Sequence, residues 1–263
     1  MNWPVMPARK RFGQHFLHDP GIIGRIIDHI APADTDHLVE IGPGRGALTE
    51  PLLDRCPRLD VIEIDRDLAP ALQQRFGGQS GFTLHEADAL RFDYTSLGGD
   101  PPLRLVGNLP YNISSPLLFA LLASPAPIGD MHFMLQKEVV DRMVAGPGEA
   151  DYGRLSVAVA SRARAERLMT IGPGAFQPPP KVESAIVRVR PRAPDFAIDC
   201  QRDFDRVLQA AFSARRKTIR NGLKGLLDRS AIIDAGVDPG QRPEQLTPAE
   251  FAALANRFTG ETA

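Results

Sequence analysis

Along the first two thirds of the chain, short apolar runs alternate with amphipathic stretches, the pattern of a parallel sheet covered by helices on both faces. A helix is predicted over residues 22–30, followed by apolar runs at 38–41, 61–64, 82–84 and 103–106, the last extended by Gly107. A final strand is expected at 185–189, ahead of Pro191 and Pro194. Past Pro194 the pattern becomes helical, over 204–212, 218–227 and 248–258. The chain is therefore expected to hold a doubly wound α/β domain over residues 1–194 and a small all-α domain over residues 195–263.

The carboxyl ends of the predicted strands carry polar residues. The first run leads straight into Gly42-Pro43-Gly44-Arg45-Gly46-Ala47, where glycines let the backbone approach a ligand and the following helix offers its N-terminal amides. The second carries Glu63 and Asp65, about twenty residues past the first glycine, where an acidic side chain can take the hydroxyls of a ribose. Glu86 and Asp88 follow the third run, and the fourth ends at Asn108. A glycine-rich turn alone is as easily structural as functional. The joint pattern is more specific, because ligands of an open parallel sheet sit outside the carboxyl ends of its strands. It points to a cofactor that presents an adenosine, either a nicotinamide dinucleotide or S-adenosylmethionine. No Gly-Lys-Ser/Thr follows the glycines, which argues against a nucleoside triphosphate. Glu40, two residues before Gly42, suits a cationic methionyl group better than a pyrophosphate and favours S-adenosylmethionine.

Asn108-Leu109-Pro110-Tyr111 puts an amide, a carbonyl and an aromatic face at one strand end. The exocyclic amine of adenine is a poor nucleophile because its lone pair is delocalised into the ring. If the Asn108 side-chain oxygen and the Leu109 carbonyl accept its two N–H bonds, the nitrogen is biased toward a tetrahedral form with the lone pair aimed outward. Pro110 lacks an N–H and restricts Leu109 to extended geometry, which turns that carbonyl toward a cleft. Tyr111 then stacks on the extruded base. Taken alone, an Asn-Pro strand end is equally an ordinary turn.

Composition narrows the setting. Of 263 residues, 43% are hydrophobic and 24% charged, enough for one large core and an appendage. The net charge of -1 gives no global nucleic-acid signature, so such binding has to come from local patches. One is Arg9-Lys10-Arg11; another is the stretch 212–226, where Arg215, Arg216, Lys217, Arg220 and Lys224 occur without an acidic residue. On a helix, Arg216, Arg220 and Lys224 share a face. Cys56 and Cys200 lie far apart and outside any metal-ligand spacing, which predicts no metal site and a reducing compartment. With no apolar run near 18 residues and no signal-peptide core, the protein is expected in the cytoplasm, away from membranes.

In this order the motifs resemble one family, the bacterial small-subunit ribosomal RNA adenine N6,N6-dimethyltransferases. The resemblance is nearly full length and runs through Arg9 to Leu17, Glu40 to Gly46, Val61 to Asp65, Asn108 to Ser115, Phe176 to Val182 and Phe212 to Lys224. It implies a class I, Rossmann-like S-adenosylmethionine-dependent methyltransferase sheet with a basic N-terminal arm and a helical RNA-binding domain. His15, Leu17, Gly42, Glu63, Asp88 and Asn108 would contact S-adenosylmethionine, beside Gly44 in the glycine-rich turn, with Glu63 on the ribose and Asp88 near the adenine amine. Asn108, Leu109, Pro110 and Tyr111 would handle the target base. Phe176, heading a stiff Pro-rich loop, would form a second aromatic slab opposite Tyr111. The family more often has Asn at the position of His15, and an imidazole cannot reproduce the geometry of an amide.

The resemblance implies four methyl transfers onto two adjacent adenosines near the 3′ end of the small-subunit (16S) RNA, within an immature subunit and by a monomer. The alternatives are a large-subunit adenine methyltransferase of the antibiotic-resistance type and a ribosome-assembly factor that binds RNA without catalysis.

Overall fold

The computed structural model describes residues 15–111, 113–213 and 217–258. Its strands are β1 (Phe16–Leu17), β2 (His37–Ile41), β3 (Leu59–Glu63), β4 (Phe82–Glu86), β5 (Leu103–Asn108), β6 (Ile128–Gln136), β7 (Ala163–Ile171), β8 (Phe176–Gln177) and β9 (Ser184–Pro191). Its α-helices are α1 (Pro20–Ile30), α2 (Thr49–Leu53), α3 (Leu68–Phe76), α4 (Ser114–Ala123), α5 (Lys137–Val144), α6 (Arg154–Ala160), α7 (Gln201–Ala211), α8 (Ile219–Gly222), α9 (Arg229–Asp234) and α10 (Pro248–Arg257).

Seven strands form one sheet in the order β4-β3-β2-β5-β6-β9-β7. Strands β4 to β6 in that order are parallel, and β9 pairs antiparallel with β6. The chain starts in the middle at β2, moves out through β3 and β4, then returns to add β5 on the other side. Strand order thus reverses between β2 and β5, and a crevice opens where their carboxyl ends diverge. Gly42 follows β2 and Asn108 closes β5, so the two motifs flank that crevice. Strands β2 and β3 are buried at every position, as their apolar runs require.

Helix α1 begins two residues earlier than its periodicity suggests. Asp19 caps it, accepting from the amides of Gly21 at 2.8 Å and Ile22 at 3.0 Å, while Pro20 occupies the first turn, where a missing N–H costs nothing. Its Ile26, Ile27 and Ile30 are buried against β2, β3 and β5 residues including Leu38, Val61 and Val106. A separate two-stranded sheet pairs Phe16 with Gln177 and Leu17 with Phe176.

Three expectations need correction. Residues 218–227 do not form one helix: α8 stops at Gly222, and Gly225 takes φ +93°, a left-handed turn that ends the periodicity. Arg220 and Lys224 are exposed there but do not share a helical face, and Arg215 and Arg216 lie outside the described residues. The domain boundary also moves. The chain divides into a unit of residues 1–140 and 166–191 and a second of residues 141–165 and 192–263. Residues 141–165 join the helical unit because Tyr152 and Val157 pack into its core with Phe204, Leu208 and Phe251, and the Tyr152 hydroxyl donates to the Leu246 carbonyl at 2.6 Å. Phe176, expected at the site, is instead buried in the core beside Ile171 and Ile186.

Candidate active site

A cavity of about 350 Å³ opens at the carboxyl ends of β2, β3, β4 and β5. His15, Leu17, Gly42, Gly44, Glu63, Asp88 and Asn108, expected to contact a cofactor, all line it, and so do Leu109, Pro110 and Tyr111. Gly42 and Gly44 take φ +65° and +59°, the left-handed conformation that disfavours any side chain. A Cβ on Gly44 would also meet the Phe16 ring at 3.1 Å, and the Arg45 guanidinium lies 4.3 Å from that ring's centre. The turn continues through Leu48, and α2 starts at Thr49.

Two carboxyl groups form one wall. Glu40 pairs in register with Val61, so Glu40 and Glu63, two residues further along β3, face the same side of the sheet. They are 1% and 5% exposed. Burial pushes the Glu40 carboxyl up to about 8 against the opposing hydrogen bond from Thr49, and the nearby Glu63 charge adds to the rise. The Thr49 hydroxyl donates to Glu40 Oε2 at 2.6 Å. Burial likewise pushes Glu63 up to about 7, opposed by the amides of Asp65 and Gly44. Among the described residues neither carboxyl has an ion-pair partner. Buried carboxyls without a counter-ion make the cavity favour a cation.

Asp88 stands at the next strand end, its Oδ1 accepting from the Leu90 amide at 3.0 Å. The cavity lining also carries two exposed apolar side chains, Ile64 and Leu90, at 53% and 39%. The motif reading missed them, although Ile64 sits between Glu63 and Asp65 and Leu90 lies two residues after Asp88, beside the strand-end acidic residues that could have located them.

The transfer motif is held from several sides. The Asn108 Nδ2 donates to the His15 carbonyl oxygen at 2.9 Å; a carbonyl can only accept, so Oδ1 is left as the acceptor end of the side chain. The Leu109 amide donates to the Met134 carbonyl at 3.2 Å, tying the motif to β6. A methyl group built on Gly42 would touch the Asn108 carbonyl oxygen at 3.9 Å, which measures how close the two strand ends lie. The Tyr111 hydroxyl is 2.9 Å from Ser184 Oγ, and its ring stacks on His15 with centroids 5.9 Å apart and planes at 29°.

Phe176 does not line the cavity. Its pairing with Leu17 turns the ring into the core beside Ile171, Ala175 and Ile186, where it is 3% exposed. In this structure the Phe176 ring packs in the core rather than standing opposite Tyr111. Lys217, Arg220 and Lys224 are exposed in the helical unit, and Arg9, Lys10 and Arg11 lie outside the described residues. Among the described residues no group of three or more His, Cys, Asp or Glu is placed to hold a metal ion, and no helix is long and apolar enough to cross a membrane.

A cavity at the switch point of a doubly wound sheet that prefers a cation, beside an amide whose oxygen has no partner among the described residues, fits the Rossmann-like methyltransferases. A dinucleotide oxidoreductase would have to seat a pyrophosphate against Glu40 and Glu63. The chain matches the model for ribosomal RNA adenine dimethylases over residues 5–260, and it belongs to that family. It is 56% identical over 256 residues to the "Ribosomal RNA small subunit methyltransferase A" of Pseudomonas putida, covering 97% of this chain and 96% of that protein. The protein of the same name from Methylococcus capsulatus is 51% identical over 250 residues, with 95% and 97% covered. Among solved structures, the 23S rRNA methyltransferase ErmE is similar with TM-score 0.73 and 26% identity over 93% of this chain and 100% of that one. A dimethyladenosine transferase from Plasmodium falciparum gives 0.74 and 27% over 91% and 96%.

Proposed function

We propose that the protein transfers methyl groups from S-adenosylmethionine to the N6 amines of two adjacent adenosines near the 3′ end of small-subunit ribosomal RNA. It works as a monomer, in the cytoplasm, on an immature subunit. The observation that carries this reading is the Asn108 amide, whose donor end is occupied by the His15 carbonyl and whose acceptor end is left for an amine.

The residues present fit the cofactor. Glu63 suits the ribose hydroxyls, Asp88 the adenine amine, and Ile64 and Leu90 the two faces of the adenine ring. Glu40 and Glu63 suit its positive charge. When bound, S-adenosylmethionine supplies an electrophilic methyl group on a cationic sulfur. The protein orients the other partner: Asn108 Oδ1 and the Leu109 carbonyl accept the N–H bonds of the target amine, and Tyr111 stacks on the base. As that nitrogen becomes positive in the transition state, acceptors and a π face stabilise it more than the neutral amine. Lys217, Arg220 and Lys224, with Arg9, Lys10, Arg11, Arg215 and Arg216, bind the phosphates of folded RNA.

The fold is shared with a large-subunit enzyme, but the relatives above 50% identity carry a small-subunit name, which favours that address. Incubation with unmethylated small subunits and tritiated donor, followed by mapping, is expected to place dimethyladenosine at two neighbouring positions near the 3′ end. Label confined to large-subunit RNA, or none at all, would sink the reading.

A further inference from the structure

We infer that Ser184 and His15 are positioning residues of the transfer motif, setting Tyr111 from two sides. This rests on the methyl-transfer function proposed for the site.

His15 sets one side. Its Nδ1 lies 2.8 Å from the Pro178 carbonyl oxygen, which can only accept, so Nδ1 carries the proton of that bond. Its ring packs on Tyr111 at 5.9 Å and 29°, within the range of offset aromatic pairs. Its main-chain carbonyl holds the Asn108 amide. One residue thus fixes the acceptor end of Asn108 with its backbone and covers one face of Tyr111 with its ring.

Ser184 fixes the opposite end. It is 0% exposed, opens β9, and pairs with Gln136 of β6, two residues beyond Met134, whose carbonyl receives the Leu109 amide. The Ser184–Tyr111 hydrogen bond at 2.9 Å therefore ties the ring to the strand end that also seats Leu109. With its hydroxyl held and one face on His15, Tyr111 presents its remaining face to an incoming base in a single orientation. Small misplacements of such a partner cost transfer rate steeply, up to about a hundredfold per ångström.

The test combines calorimetric binding of S-adenosylmethionine, steady-state transfer to unmethylated small subunits, and thermal unfolding. Ser184→Ala and Tyr111→Phe are each expected to lower kcat about tenfold with donor affinity within twofold of the parent protein, and Ser184→Thr to restore most of it. The double variant should unfold and react no worse than the poorer single one, since both remove the same bond. His15→Ala, which removes the ring packed on Tyr111, should lower kcat or raise KM for the subunit. Unchanged kcat and KM for the subunit in His15→Ala, or unchanged kcat in Ser184→Ala, would overturn the inference. So would additive unfolding shifts for Ser184→Ala with Tyr111→Phe, a readout that does not depend on activity. A parent protein that binds the donor yet methylates nothing would instead strike the functional reading, leaving the unfolding cycle to judge the clamp.

Discussion

The side-chain amide of Asn108 donates to the carbonyl oxygen of His15 at 2.9 Å, joining residues 93 positions apart. That bond converts a strand-end asparagine, common in turns, into an oriented acceptor at the mouth of an acid-lined cavity. Removing the amide removes both the orientation and the acceptor. Asn108→Ala is expected to lower methyl transfer at least a hundredfold, the scale on which single preorganised groups act, while filter retention of the RNA stays within a few-fold. Transfer within tenfold of the parent protein would show that another group orients the amine.

The Glu40 and Glu63 carboxyls make the stability of the ligand-free protein depend on pH. Burial raises them from the ordinary 4.5 to about 8 and about 7. Between pH 4.5 and 8 the unfolded chain ionises these groups while the folded protein keeps them protonated, so stability falls as pH rises through that window and levels off above it. The Glu40 contribution is on the order of a few kcal/mol. Melting temperature measured from pH 5 to pH 8 should decline, and Glu40→Gln should flatten the decline. A cationic donor, which needs the ionised form, should bind more tightly at pH 8 than at pH 6. A Glu40→Gln profile parallel to the parent's would place the effect elsewhere.

Ile64 and Leu90 stand 53% and 39% exposed on the cavity rim, where nothing in the free protein's core depends on them. Ile64→Ser should therefore leave the melting temperature nearly unchanged and weaken donor binding about tenfold, the loss of one apolar face. Calorimetry separates the two quantities; a large drop in stability with intact affinity would contradict the assignment of that face.

Lys217, Arg220 and Lys224 are exposed in the helical unit. Neutralising all three to Gln should weaken binding to small subunits, and reduce the slope of log K against log salt by roughly 0.7–0.9 for each phosphate that the protein no longer neutralises. Donor affinity should not move. An unchanged salt dependence would mean that these cations face solvent in the complex.

Much of the parallel sheet is legible in the chain because strands buried on both faces read as continuous apolar runs. The runs at 38–41 and 61–64 mark two such strands, observed as His37–Ile41 and Leu59–Glu63, and they put Gly42 and Glu63 at or near strand ends. Strand β7, with Arg164, Glu166 and Arg167 in its middle, lies at the edge of the sheet and carries no such signal. The helical stretch at 218–227 fails for a local reason, since Gly222 and Gly225 break a pattern that periodicity alone would continue. Residues 141–165 were assignable only by their partners, because Tyr152 finds its acceptor at Leu246.

By itself the chain determined which chemical groups stand at which strand ends, because hydrophobic period and turn residues act over a few neighbouring positions. Tertiary structure alone decided where each group faces. Phe176, the head of a Pro-rich loop in sequence, is turned inward by pairing with Leu17. His15, which lines the cavity, is held by the Pro178 carbonyl and stacks on Tyr111. Asn108 is oriented by His15, and Tyr111 by Ser184, 73 residues away. Side-chain direction at a strand end depends on which donor or acceptor the fold brings within about 3 Å, and that distance is a property of the packed chain.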